Sequence, residues 1–584
     1  MTRSNGPQAK RRFAVACGPL ALLLTVAAFR HAAYPASQPT SWPVSFVDVA
    51  KQAGLVHPSI YGGMDRKRFI TETNGSGVAL FDFDDDGLLD ALVLSGTRLA
   101  EGSREDVSWP PGEAPTNRLY RNHGGGAFAD VSAGSGLDRL GWASSVCVGD
   151  YDNDGRLDVF LTYFGRNSLH RNRGGGRFED VTDAAGVGGQ GTRWGSGCSF
   201  IDYDRDGLAD LFVANYLRFD LAAAPEPGQG ANCLWKGLPV NCGPKGLPTD
   251  TNLLYRNRGD GTFEDVSEPS GVAGVTGRYS MTAAAADLDG DSWVDIYVAC
   301  DSTASTFYRN DGDGTFSDRS VESGLAYNEF GTAQAGMGLA MADYDGDGLL
   351  DVLKTHFADD IPALYRSLGR GRFEELAGVA GLAVQNRHVE WGAGLPDLDN
   401  DGRADVFYVT GNVYPEVEAQ MPEYPHRGPR IVFRNRDGTS FEDATGRTGP
   451  GASAAHSSRG AAFGDVDNDG DVDVLVMNMN EPPSLLRNDY SGPNGWIQVK
   501  LRGRRSNRAG LGATVVVTAA GRRQARPVLS QSSYYSHDDL RLHFGLGSER
   551  RAERIEVLWP SGHVDVLTDV EGGRVLTVEE GADR

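Results

Sequence analysis

The chain has 584 residues, with 56 Lys plus Arg against 79 Asp plus Glu, a formal charge of −23 and 40% apolar residues beside 77 Gly. So acidic a body excludes nucleic acid and anionic membrane surfaces as its partners. Apolar content at that level, with so much glycine, excludes a disordered acidic tail in favour of turn-rich β structure.

Residues 1–35 read as an address rather than fold. Arg3, Lys10, Arg11 and Arg12 precede an apolar run from Phe13 to Phe29, and small residues follow at Ala32, Ala33 and Ala36. This is the pattern of a secretory signal, or of a membrane anchor if it stays uncleaved. The body is therefore expected outside the cytoplasm, secreted, periplasmic or on the cell surface, where calcium is plentiful and disulfides persist.

From residue 44 to 490 the chain is a repeat array. Its organising stretch is D-x-D-x-D-[G/S]-x-x-D, written seven times. The acidic positions are Asp82, Asp84, Asp86 and Asp90; Asp150, Asp152, Asp154 and Asp158; Asp202, Asp204, Asp206 and Asp210; Asp287, Asp289, Asp291 and Asp295; Asp343, Asp345, Asp347 and Asp351; Asp397, Asp399, Asp401 and Asp405; and Asp465, Asp467, Asp469 and Asp473. A hard cation such as Ca2+ takes six to eight oxygens at about 2.3–2.6 Å. Alternate Asp side chains on a tight loop converge on one point, the sixth-position Gly permits the turn, and the ninth-position Asp closes the shell. Up to about seven calcium ions are expected. The fourth loop, with Ser292 in place of Gly, is the weakest.

Each repeat carries four short extended segments. In the first they are Gly77 to Phe81, Ala91 to Leu94, Leu119 to Asn122 and Phe128 to Val131, and related segments recur along the array. Even spacing of short strands and turns predicts four-stranded antiparallel sheets, and seven of them a β-propeller. The seventh repeat lacks its final Phe-x-Asp strand, while a spare copy, Phe46-Val47-Asp48-Val49, precedes the first. The N-terminal strand is thus expected to complete the last blade. Arg258-Gly259-Asp260 and the Gly-Gly-Gly turns at 124–126 and 174–176 occupy the ordinary turn of the repeat and read as hairpins.

Among the cysteines, no C-x-x-C pair occurs. Cys233 and Cys242 could close a small disulfide in the Pro/Gly-rich insertion between Asn232 and Pro248. Cys147 and Cys198 read as buried free thiols, and Cys300 has no assignment. From 495 to 581 the Asp loops stop and alternating strands begin at Trp496, indicating a small all-β sandwich or barrel.

The repeats resemble the FG-GAP/VCBS repeats of integrin-α propellers. Ser506 to Ala513, Asp539 to Gly547 and Val557 to Gly562 are similar to the ASPIC/UnbV domain. The combination resembles the cartilage acidic protein family and its bacterial relatives, and the Cys233–Pro248 insertion resembles one seen in the bacterial members. This implies an extracellular calcium-binding propeller with an interaction role, and it brings no established reaction.

Neither G-x-S-x-G nor H-E-x-x-H occurs. His388, two residues before Glu390, and His456 and His537 sit in polar stretches and read as hydrogen-bonding groups, with acid–base work by a His–carboxylate pair as the other reading; His543 reads as structural or outward-facing. Trp142, Trp194 and Trp391 are expected between blades, with an aromatic platform at the channel as the other reading. The expected function is an exported adhesion or interaction module for an extracellular protein or polysaccharide, with structural calcium. A lyase-like calcium-dependent polysaccharide enzyme, or a scaffold for another exported enzyme, is the alternative.

Overall fold

The computed structural model describes residues 42–189 and 193–582. The expected signal segment, with Cys17, lies outside them. Among the described residues no helix is long and apolar enough to cross a membrane.

Seven four-stranded antiparallel sheets form the array. Blade 1 is Val78–Phe81, Asp90–Val93, Arg118–Asn122 and Phe128–Asp130. The first strands of successive blades touch in an unbroken ring: Val78–Phe81, Ala143–Gly149, Arg193–Ile201, Ser280–Ala286, Leu339–Ala342, Glu390–Gly394, Ser458–Gly464 and back to Val78–Phe81. The propeller is therefore closed, with first strands innermost. Crowding about the axis selects their composition: Ser280–Ala286 reads SMTAAAA and is buried along its whole length. Outermost strands instead keep one buried Phe and turn the rest to solvent, as in Phe263–Asp265.

Closure follows the expected route. Phe46–Asp48 pairs antiparallel with Ser484–Asn488, placing Phe46 opposite Asn488 and making the N-terminal strand the outer edge of blade 7. Phe46 is fully buried and its ring lies 5.5 Å from that of Phe407 in blade 6.

After blade 7, Gly495–Arg502 pairs with Leu542–Gly547 and, in parallel, with Val575–Glu579. A four-stranded sheet of Arg522–Pro527, Thr514–Ala519, Arg551–Leu558 and Val564–Glu571 faces it. Val499, Phe544, Val515 and Ile555 fill the space between the sheets, so this region is a sandwich. The same apolar cluster continues into Phe160, Phe200 and Leu211 of the propeller. Sandwich and propeller accordingly form one compact unit.

Cys233 and Cys242 are bonded. Cys147 and Cys198 are bonded as well, correcting the expectation of free thiols. They lie on the inner strands of blades 2 and 3, whose contact at the axis brings Cα atoms 51 residues apart in sequence to 5.9 Å. Cys300 is a buried free thiol.

Candidate metal loops and the channel they surround

Every D-x-D loop joins the inner strand of its blade to the second, so all seven lie at one end of the propeller. In blade 1 the first Asp shapes the turn: Asp82 Oδ1 accepts the Asp86 amide and Oδ2 the Gly87 amide, each at 3.0 Å. Asp86 Oδ1 then accepts the Leu88 amide at 3.0 Å. Blade 2 repeats the set through Asp150 and Asp154. The winding brings carboxylate oxygens of Asp82, Asp84 and Asp86 within 4.8 Å of one another, and likewise Asp202, Asp204 and Asp206, Asp287, Asp289 and Asp291, and Asp343, Asp345 and Asp347. In blade 2 the group is Asp150, Asp152 and Asp158. The turn requires left-handed backbone twice, at the sixth position and also at the fourth, where Asp85, Asn153, Asn400 and Asn468 have φ near +55 to +60°. Asn, Asp or Gly at six of the seven fourth positions was a legible sign of this.

The ninth Asp is tied to backbone. Asp90 Oδ2 accepts the Phe83 amide at 3.1 Å and Oδ1 the Asn122 amide at 2.8 Å. All seven blades repeat both bonds. Each oxygen keeps a second lone pair for a cation.

Sequence reasoning treated the Leu-Tyr-Arg-Asn segment only as a strand; it is part of the site. Its Arg reaches the Asp at the third and fifth loop positions: Arg121 Nη2 lies 2.6 Å from Asp84, and Arg309 grips Asp289 at 2.6 Å and Asp291 at 2.7 Å. Its Asn joins blades. Asn172 Nδ2 donates to Leu157 O of its own loop and, at 2.9 Å, to Phe83 O of the loop before. Asn122, Asn257, Asn310 and Asn435 do the same.

The donor set fits a divalent cation. Burial pushes Asp150, Asp202, Asp343 and Asp465 up to about 7 and Asp90 to about 8. Oδ1 of Asp84, Asp202 and Asp467 is buried without a hydrogen-bond partner among the described residues. Carboxylates crowded, desolvated and partly unpartnered are what an oxygen-seeking ion stabilises.

The sandwich sits on this end of the propeller. Lys500 pairs with Asp85 at 3.0 Å, Arg508 N donates to Asn153 Oδ1 at 2.9 Å, and Gln498 Nε2 donates to Asp465 Oδ2 at 2.8 Å. Arg522 donates to Asp401 O, and His543 bonds Asn400 Oδ1 at 2.6 Å while stacking on Trp496. Loops three, four and five come up against Arg505, Gly512 and Arg523. Between loops one and two and the sandwich a cleft of about 340 Å³ is lined by Asp84, Asp150, Lys500, Arg502 and Arg508.

From the sandwich, residues 528–541 enter the channel. Ser533 bridges to Leu339 of blade 5 and His537 to Ala79 of blade 1. Gln531 Oε1 accepts amides of Cys198 and Ala283 from blades 3 and 4. Tyr534 and Tyr535, both fully buried, stack at 4.0 Å near the far end. Room comes from glycines in or just before the inner strands, Gly77, Gly197, Gly338, Gly392 and Gly460, where a Cβ would collide with the segment or a neighbouring blade. Those recurring glycines were the missed signal.

The other sequence candidates are structural. His388 and Glu390 form no pair; the buried Glu390 accepts the His356 amide at 3.2 Å. Of these candidates, His456 does pair with a carboxylate, that of Glu481 at 2.5 Å. His537 is buried in the channel segment. Trp142, Trp194 and Trp391 are buried, each indole N–H bonded to Asp106, Ser144 and Gly411 O respectively. Gly259 takes φ +74° and Asp260 bonds Thr262 N, confirming the Arg-Gly-Asp stretch as a repeat turn.

A family model for the FG-GAP-like repeat matches residues 103–161, 150–213, 246–298, 287–353 and 397–476, together half of the chain. The chain belongs to the FG-GAP repeat family. The model for ASPIC and UnbV matches 503–584. This FG-GAP protein is 25% identical over 455 residues to cartilage acidic protein 1 of Homo sapiens, covering 76% of the chain and 63% of that protein. The mouse protein is also 25% identical, over 436 residues, 73% of the chain and 62% of its own length. The chain thus spans under two thirds of these relatives. Among solved structures, an Agrocybe aegerita lectin described as recognising non-reducing terminal N-acetylglucosamine matches 63% of the chain and 79% of its own, at 17% identity and TM-score 0.35. BBS1N in complex with ARL6DN matches 74% and 97%, at 10% identity and TM-score 0.38.

Proposed function

We propose that this FG-GAP protein is an exported interaction module for an extracellular protein or polysaccharide, with calcium in the Asp loops as a structural ion. The observation that carries the reading is the seating of the sandwich on all seven loops. Ions held there stiffen the joint between the two regions. The opposite end of the propeller, built by longer connections and the Cys233–Cys242 insertion, is left to meet a partner. Two disulfides and similarity to a protein named for cartilage support an extracellular setting. At calcium a hundred times its dissociation constant each loop contributes about 2.7 kcal/mol of linked stability.

The test immobilises the purified chain and passes matrix-protein and polysaccharide fractions over it in calcium and in chelator. Capture in calcium alone, abolished by Leu234→Glu on the exposed insertion tip, is the expected result. Capture indifferent to chelator, or a polysaccharide released shortened, overturns it.

A further inference from the structure

The end of the channel away from the loops is covered. The insertion leaves blade 3 after Arg218, yet its Glu226 pairs with Arg68 at 2.8 Å and Arg104 at 3.0 Å beside blade 1. Trp235 packs 5.0 Å from Tyr424 and 5.9 Å from Tyr414 of blade 6, and Lys236 pairs with Asp359 of blade 5. Reaching blades 1, 5 and 6 from blade 3 takes the insertion across the axis. It is a roof, and Tyr534, whose hydroxyl donates to Asn74 O at 3.1 Å, is the floor.

Between them lies a group of buried donors with nothing to bond. Arg459 is fully buried, with its guanidinium 4.1 Å from the Trp391 ring. Its Nε donates to Thr73 O at 2.8 Å, and its Nη1 to Ser458 O at 2.8 Å and Gly411 O at 3.3 Å. That clamp holds it between Asn74 and Asn412, the residues following Thr73 and Gly411. Among the described residues Arg459 Nη2, Asn74 Nδ2 and Asn412 Nδ2 have no partner, and these residues are 0%, 5% and 2% exposed. Leaving one such donor unpaired costs about 1–3 kcal/mol, more for a charged group. Several together at one place mark a site built for something else.

We propose that this roofed mouth binds a small organic carboxylate, held by Arg459, Asn74 and Asn412. An Arg flanked by amide donors is suited to a carboxylate. Lys67 is buried nearby with its Nζ donating to Tyr61 O and Gly63 O, and burial lowers it to about 7. Entry requires the roof to lift, and the ion pairs at Glu226 and Lys236 that hold it are partly exposed and individually weak. The inference is independent of any partner on the outer surface.

Calorimetric titration of the full chain with acetate, D-glucuronate, L-alanine and glucose tests it. Saturable binding of a carboxylate but not of glucose is expected, weakened about tenfold or more in Asn412→Leu. Asn412→Leu also loses the bond from Tyr414 N to Asn412 Oδ1, so its midpoint is expected below that of the parent, and a cooperative thermal transition shows that the variant folds. No carboxylate binding, glucose bound as well as glucuronate, or full binding by a folded Asn412→Leu means that the mouth holds only water and overturns the proposal.

Discussion

The carbonyl oxygen of Tyr535 occupies the space that a Cβ on Gly77 would need. Through this approach the inner strand of blade 1 admits the segment that the sandwich sends down the channel. Gly77→Ala must displace backbone on one side, so it is expected to cost about 1–3 kcal/mol and to expose residues 528–541 to limited proteolysis. Gly274→Ala, where open space surrounds the new methyl, is the control and should change stability by less than about 0.5 kcal/mol.

Ring closure rests on a strand of three residues, Phe46–Asp48. Phe46→Ala removes a fully buried ring at the joint of blades 6 and 7 and should cost about 3–5 kcal/mol. Deleting 44–50 should lower the thermal midpoint far more than loss of seven surface residues could. An unchanged midpoint would show that the ring closes without this strand.

The Asn that joins blades gives a matched pair of tests. Asn172→Ala leaves two backbone carbonyls, Leu157 O and Phe83 O, without their donor, and is expected to cost about 2–4 kcal/mol in denaturant unfolding. Blade 5 has Ser367 at this place. Ser367→Asn supplies the missing donor toward Leu288 O and Leu350 O and is expected to stabilise by about 1 kcal/mol.

In the fourth loop Ser292 holds φ +71°, a conformation that a side chain disfavours. Ser292→Gly should relieve that strain, raising stability by up to about 1 kcal/mol and tightening calcium at this loop. A calcium titration followed by unfolding midpoint reads both effects; weaker binding in the variant would refute the link between backbone strain and affinity.

Much of the propeller was legible because its signals are local and repeat. Asp90 and its six counterparts announce a loop, Phe128 and its echoes an outer strand, and the spare Phe46 the closure. The partners of those residues were not legible. The bond of Asn122 to Val466 O joins residues 344 apart, and that of Gln531 to Cys198 joins residues 333 apart. Nothing near either residue in sequence encodes its partner. Cys147 and Cys198 were misread for the same reason: each looks like a small core residue until the ring brings their strands together. The Arg of the third strand was visible in most repeats, but its task depends on sheet register, which sets Arg121 beside Asp84.

The channel segment also makes the protein acid-sensitive in a traceable way. Burial holds His537 down to about 4, with its Nδ1 at 2.9 Å from Ser530 O, against about 6.5 for an exposed imidazole. Its folded value is the depressed one, so the unfolded chain takes up a proton that the folded chain refuses. The stability this group contributes is complete above about pH 6.5 and is lost as pH falls through 4, by up to about 3 kcal/mol. His537→Gln removes the titration. Unfolding free energies of parent and variant, measured in denaturant at steps from pH 7 to 4, should therefore converge as pH falls, while loss of loop carboxylate charge acts on both alike. Parallel curves would mean that His537 is protonated in the folded channel.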